Sequence, residues 1–150
     1  MLPRLLVLLA CIMLSGMVQA DDGPASYLIE FELWLDGEVK GAPRMIVEAG
    51  HPASMETTGS GRDWRIEVEV ERPAAYENAP GDALWLHVAV HERAEGEWEA
   101  LADTMLGVPE GEPATFAVVE GEVDEPSPEQ SLVFLRATTS RLQPGEMPAH

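Results

Sequence analysis

Gly50-His51-Pro52-Ala53-Ser54-Met55 returns later in the chain as Gly111-Glu112-Pro113-Ala114-Thr115-Phe116. Each copy follows an alternating apolar run closed by a two-residue turn, Asp36-Gly37 before the first and Glu95-Gly96 before the second. A strand-turn-strand unit present twice is the economical account of that echo. Upstream of the first turn, Tyr27, Ile29, Phe31, Leu33 and Leu35 alternate with Leu28, Glu30, Glu32 and Trp34. A period of two marks a half-buried strand. Superposing the two turns, 59 positions apart (95 minus 36), sets Tyr27 on Leu86, Ile29 on Val88 and Phe31 on Val90, so inward parity is kept.

Outward from the echo, Arg44 to Glu48 and Ala53 to Thr57 form two short strands around the bend Ala49-Gly50-His51-Pro52. Pro52 is barred from a central ladder position. Gly59-Ser60-Gly61 marks a flexible loop. Trp64, Ile66, Val68 and Val70 then alternate with Arg65, Glu67, Glu69 and Glu71, one face apolar and one charged, as in an antiparallel sheet wetted on one side. Residues 73–82 connect the halves, and Leu84, Leu86, Val88 and Val90 open the second. Trp98, Leu101, Ala102, Met105 and Leu106 fit helical spacing, but the echo requires a strand over 98–106, and a strand is expected. Ala114 to Val119 and Leu132 to Thr139 complete the set, with an acidic, proline-bearing loop over 120–130. The expected fold is all-β: about eight strands in two similar four-strand units, neither able to bury its apolar face alone, stacked as an antiparallel sandwich or curled into a partly closed barrel.

Met1 to Ala20 has one basic residue, Arg4, an apolar core from Leu5 to Leu14 and the ending Val18-Gln19-Ala20. That pattern predicts a secretory signal peptide over 1–20, hence a periplasmic or secreted protein. A lipoprotein reading would attach lipid to Cys11, but Ile12-Met13-Leu14 then make an odd mature start. Residues 21–141 make one domain, and 142–150 a tail. Without Cys11 no disulfide is possible, so the core alone must hold the fold. No second apolar stretch reaches membrane-spanning length, so no membrane insertion is expected after cleavage. The formal charge of −18 becomes −19 without Arg4. Such a surface repels phosphate backbones and makes nucleic acid a poor partner.

The chain offers no catalytic motif. His87 and His91 share one face of a strand, but four residues at about 3.3 Å each keep them about 13 Å apart, too far for one zinc ion. No Gly-x-Ser-x-Gly elbow surrounds any serine, and Thr57 to Gly61 lacks the ending of a phosphate loop. Glu67, Glu69 and Glu71 share a face with Arg65 without the spacing of an acid/base pair. Glu120, Glu122, Asp124 and Glu125 offer oxygen ligands but not the twelve-residue calcium-loop pattern. No metal and no cofactor are expected. Trp34 and Trp85 fall on the polar sides of their strands, where a large ring seeks a partner or covers an edge. They are the candidate partner-binding residues.

The order of strand, Asp-Gly or Glu-Gly turn, weakly apolar strand and Gly-x-Pro-Ala resembles small periplasmic β-rich accessory domains. Similar segments occur in extracytoplasmic tails of some antirepressor-type membrane metallopeptidases and in secretin-like proteins. The resemblance covers residues 27–71 and, more loosely, 83–139. It implies an accessory domain standing alone, and no peptidase activity, because the His-Glu-x-x-His motif is absent. The functional expectation is a non-enzymatic protein-interaction module of the bacterial cell envelope. Alternatives are a binder of calcium or cationic ligands, and a hydrolase built from carboxylates on different strands.

Overall fold

The computed structural model describes residues 23–58, 63–74, 78–143 and 145. The leader 1–20 with Cys11, the Gly59-Ser60-Gly61 loop and residues 144 and 146–150 of the tail lie outside them. Among the described residues nine strands follow in order: β1 (Ser26–Leu35), β2 (Glu38–Gly41), β3 (Arg44–Glu48), β4 (Ala53–Thr57), β5 (Trp64–Glu71), β6 (Ala83–Ala94), β7 (Glu97–Pro109), β8 (Pro113–Val119) and β9 (Ser131–Arg141). The segment 98–106 is therefore strand, as the echo requires, and its helical spacing is without consequence.

One sheet has the order β2-β1-β9-β8, with β3 also on β1; the other has the order β4-β5-β6-β7, and every pair is antiparallel. Strands β2 and β3 lie on the same side of β1, separated at Ala42-Pro43. Pro43 has no N–H for the ladder, but its carbonyl accepts the Phe31 N–H at 2.9 Å. Nine strands thus fill eight positions. Both sheets keep open edges, so the fold is a sandwich and not a barrel.

Alternation builds the core directly. Tyr27, Ile29, Leu33, Leu35 and Leu135 from one sheet meet Ile66, Val68, Val70, Leu86 and Val88 from the other in a single apolar cluster. Each such side chain contributes about 1.5–3 kcal/mol on leaving water. Arg72 closes one end, its Nε donating to the Tyr27 hydroxyl at 3.1 Å.

The two units are not stacked one upon the other. Each gives a hairpin to both sheets: β1 with β2/β3 and β8 with β9 make one, β6 with β7 and β4 with β5 the other. The Gly-x-Pro-Ala segments are the corners where the chain changes sheet. Both corners carry the same three backbone bonds. Ala49 N–H donates to Ala25 and Glu110 to Asp82; Gly50 donates to Val70 and Gly111 to Thr139; His51 donates to Glu48 and Glu112 to Pro109. The glycines have φ of 75° and 83°, where other residues are strained.

The register also corrects the superposition. Lys40 bulges between the pairs Leu33↔Gly41 and Trp34↔Val39, and Leu101 bulges between Val90↔Ala102 and His91↔Ala100. Four pairs separate the second bulge from its turn, against two for the first. The hairpin β6–β7 is therefore longer on each arm, and Tyr27 corresponds to Leu84, Ile29 to Leu86 and Phe31 to Val88. Inward parity survives because the extension is even. Pairing in the remaining hairpins, Met55↔Ile66 and Phe116↔Leu135, makes Trp64 the counterpart of Val133 and Val70 that of Thr139.

Candidate functional site

Trp34 and Trp85 both point away from the core, but from different sheets. They stand on opposite outer faces of the sandwich, so no single flat surface touches both. Their surroundings differ in kind.

On the first sheet, cross-strand pairing sets Val39, Trp34, Phe134 and Ala117 in one row across β2, β1, β9 and β8. Phe134 is only 3 % exposed although it faces outward and belongs to no part of the inter-sheet cluster. Trp34 is half-buried beside it, and Val39 at the end of the row is 60 % exposed. Exposed Leu132 follows along β9, and Ile46, paired with Leu28, is exposed on β3. Glu32 holds the row in place: its carboxylate accepts Trp34 Nε1 at 3.2 Å and Arg136 Nη1 at 3.0 Å. The Arg136 guanidinium stands 5.8 Å from the Phe134 ring centroid, within cation–π range.

The counterpart row on the second sheet is Ala100, His91, Arg65 and Glu56. It is polar where the first is apolar. Arg65 Nη1 lies 3.4 Å from Glu56 Oε1, its Nε lies 3.1 Å from Glu67 Oε1, and its guanidinium stacks 4.7 Å from the Trp98 ring. Arg93 adds a second contact to Trp98 at 5.8 Å. Exposed pairs of this sort are worth about 0–1 kcal/mol each and keep a face wet. One backbone plan thus carries two different outer surfaces.

Trp85 has an occupation inside the fold. A Cβ on its cross-strand neighbour Gly107 would stand 2.9 Å from Trp85 Cζ3, so the ring lies over the glycine. The counterparts on the first sheet are Leu28 and Ile46, so a large-plus-absent pair on one sheet replaces two medium side chains on the other.

His87 Nε2 bonds Asp103 Oδ1 at 2.7 Å on the exposed face, and His51 lies in its corner 3.4 Å from Glu48 Oε1. Among the described residues no group of three or more His, Cys, Asp or Glu stands close enough to hold a metal. Arg72 is bonded to Tyr27, and Arg93 reaches Gly96 O at 3.3 Å and Asp63 at 3.9 Å. Among the described residues a depression is lined by Arg72 to Ala74, Asn78 to Gly81 and Ala83, none of which is a carboxylate. No helix among the described residues is long and apolar enough to cross a membrane.

Phe134 is the site residue that sequence reasoning misses. Its signal is the unbroken run Leu132-Val133-Phe134-Leu135, where apolar side chains occupy both faces of one strand. The chain matches no protein-family model, no curated protein and no solved structure. The fold and its outer faces therefore carry the functional argument.

Proposed function

We propose that the protein is an exported, non-enzymatic β-sandwich that serves as a protein-interaction module of the bacterial cell envelope, its two halves copies of one hairpin-corner-hairpin unit. The observation that carries this reading is the row Val39-Trp34-Phe134-Ala117. The counterpart row holds Arg65 and Glu56 at the positions of Phe134 and Ala117, so the shared backbone plan admits polar side chains there. Apolar rows on an outer face mark contact surfaces, and a fixed aromatic beside an arginine is the composition of an interface anchor. The leader over 1–20 supports export, and the duplicated Gly-x-Pro-Ala corners support duplication.

Affinity capture from envelope extracts tests the reading. Wild type should retain a partner that a Trp34→Ala/Val39→Asp variant of unchanged circular dichroism releases, whereas Trp85→Ala should retain it. Identical recovery by wild type and the Trp34→Ala/Val39→Asp variant would overturn the assignment of the row.

A further inference from the structure

We infer that the open edge strand β8 is a docking site for an extended segment of another protein, apolar in its middle and basic at both ends. The inference rests on the interaction-module reading but uses a different surface, the rim of the sheet instead of its face.

Among the described residues the sandwich has four outer edges, and three are guarded against strand addition. The edge formed by β2 and β3 is short, broken at Pro43, and carries Glu38, Lys40, Arg44 and Glu48. Strand β4 is five residues long and carries Glu56. Strand β7 carries Glu97, Glu99 and Asp103, is bulged at Leu101 and ends at Pro109, which leaves only Thr104 to Val108 uncharged between the last acid and the proline. Charges, prolines and brevity are the devices that keep edges from pairing with other chains. Strand β8, Pro113-Ala114-Thr115-Phe116-Ala117-Val118-Val119, has no charge and, after Pro113, no proline. Among the described residues its one ladder partner is β9, so alternate N–H and C=O groups from Ala114 to Val119 face away from the sheet. At the outward position where β4 has Glu56, β8 has Ala117.

Charge sets the occupant. Glu112 precedes the strand and Glu120 and Glu122 follow it, all exposed. An added strand therefore meets an uncharged ladder bounded by carboxylates at both ends, about eight residues or 26 Å apart. Basic residues at that spacing fit both ends, while alternating side chains continue the row beyond Ala117 on one face and the core on the other. A second copy of this chain fits poorly, since it brings a charge of −18 against −18.

The test is fluorescence anisotropy of labelled peptides on the full chain: Lys-Val-Thr-Val-Thr-Val-Thr-Val-Lys and the same peptide with Glu at both ends. The Lys-ended peptide should bind saturably, and the Glu-ended peptide at least about tenfold more weakly. Ala117→Lys, with unchanged circular dichroism, should weaken the Lys-ended peptide by at least about tenfold, whereas Glu56→Gln on the other sheet should stay within about twofold. Equal affinity for the two peptides, undiminished binding by Ala117→Lys, or no saturable binding would overturn the inference. Each of those results leaves the capture result at Trp34 standing, so the two readings fail separately. Sedimentation of wild type as a dimer that Ala117→Lys splits into monomers would assign the edge to a second copy and overturn the basic segment.

Discussion

Thr139 is wholly buried, and its Oγ1 has no hydrogen-bond partner among the described residues, while its counterpart Val70 fills the same place with a methyl group. A buried hydroxyl left unpaired costs about 1–3 kcal/mol. Thr139→Val should therefore stabilise the protein by about 1 kcal/mol and raise its melting temperature by about 2–4 °C, read by urea and thermal unfolding; a loss of stability would show that the hydroxyl is satisfied. Gly107 is set by the opposite constraint, an aromatic ring where its side chain would be. Gly107→Ala should destabilise by about 1–3 kcal/mol through overpacking, and the penalty should largely vanish in a Trp85→Ala background. Additive effects in that double-mutant cycle would deny the contact. Trp85 is then explained by its own sheet, which leaves Trp34 as the outward tryptophan with a row to present.

At the scale of elements, both hairpin turns place two residues at positive φ, Asp36 at 50° with Gly37 at 74°, and Glu95 at 51° with Gly96 at 91°. Such primed turns match the twist of the strands they join. Their surroundings are unequal. A Cβ on Gly37 would stand 2.7 Å from the Glu129 carbonyl in the 3₁₀ turn Pro128–Gln130, whereas one on Gly96 meets nothing within 4 Å. Gly96→Ala should cost about 1–2 kcal/mol for the left-handed backbone alone. Gly37→Ala should cost measurably more, because it also displaces the end of the acidic loop; equal urea midpoints would contradict that docking. Turns, strands and inward faces were legible because alternation and Asp-Gly or Glu-Gly pairs act over neighbouring residues. Strand pairing was not. Two similar strand-turn-strand segments suggest two stacked units, whereas the pairing of β1 with β9 and of β5 with β6 divides each unit between the sheets. The bulges at Lys40 and Leu101 were hidden for the same reason, since an extra residue in one strand shows only against its partner. Trp34 was visible as an aromatic out of phase. The row that gives it meaning depends on Phe134 and Ala117, more than 80 positions further along the chain.

Exchanging β1–β5 with β6–β9 turns the strand order of one sheet into that of the other, and the exchange extends to the chain ends of the domain. Leu142 N–H donates to Ser26 O at 2.9 Å, and Tyr27 pairs with Arg141. Strands β9 and β1 are therefore adjacent antiparallel neighbours, as β5 and β6 are, and the latter are joined by residues 72–82. If the two joins are geometrically alike, their covalent identity is interchangeable. A circular permutant that starts at Gly81, runs through β9, crosses a linker of about ten Gly/Ser residues to Ser26 and ends at Arg72 should form the same sandwich. Its circular dichroism should be unchanged, its stability within about 1–2 kcal/mol of wild type, and the Arg72 bond to Tyr27 kept. Cutting inside a corner, between Gly111 and Glu112, removes the continuity that carries the chain from one sheet to the other. That permutant should lose far more stability, or fail to fold, although its linker is the same. Equal stability of the two permutants would mean that the corners do not organise the sandwich, and that the likeness of the Gly-x-Pro-Ala segments has no part in specifying it.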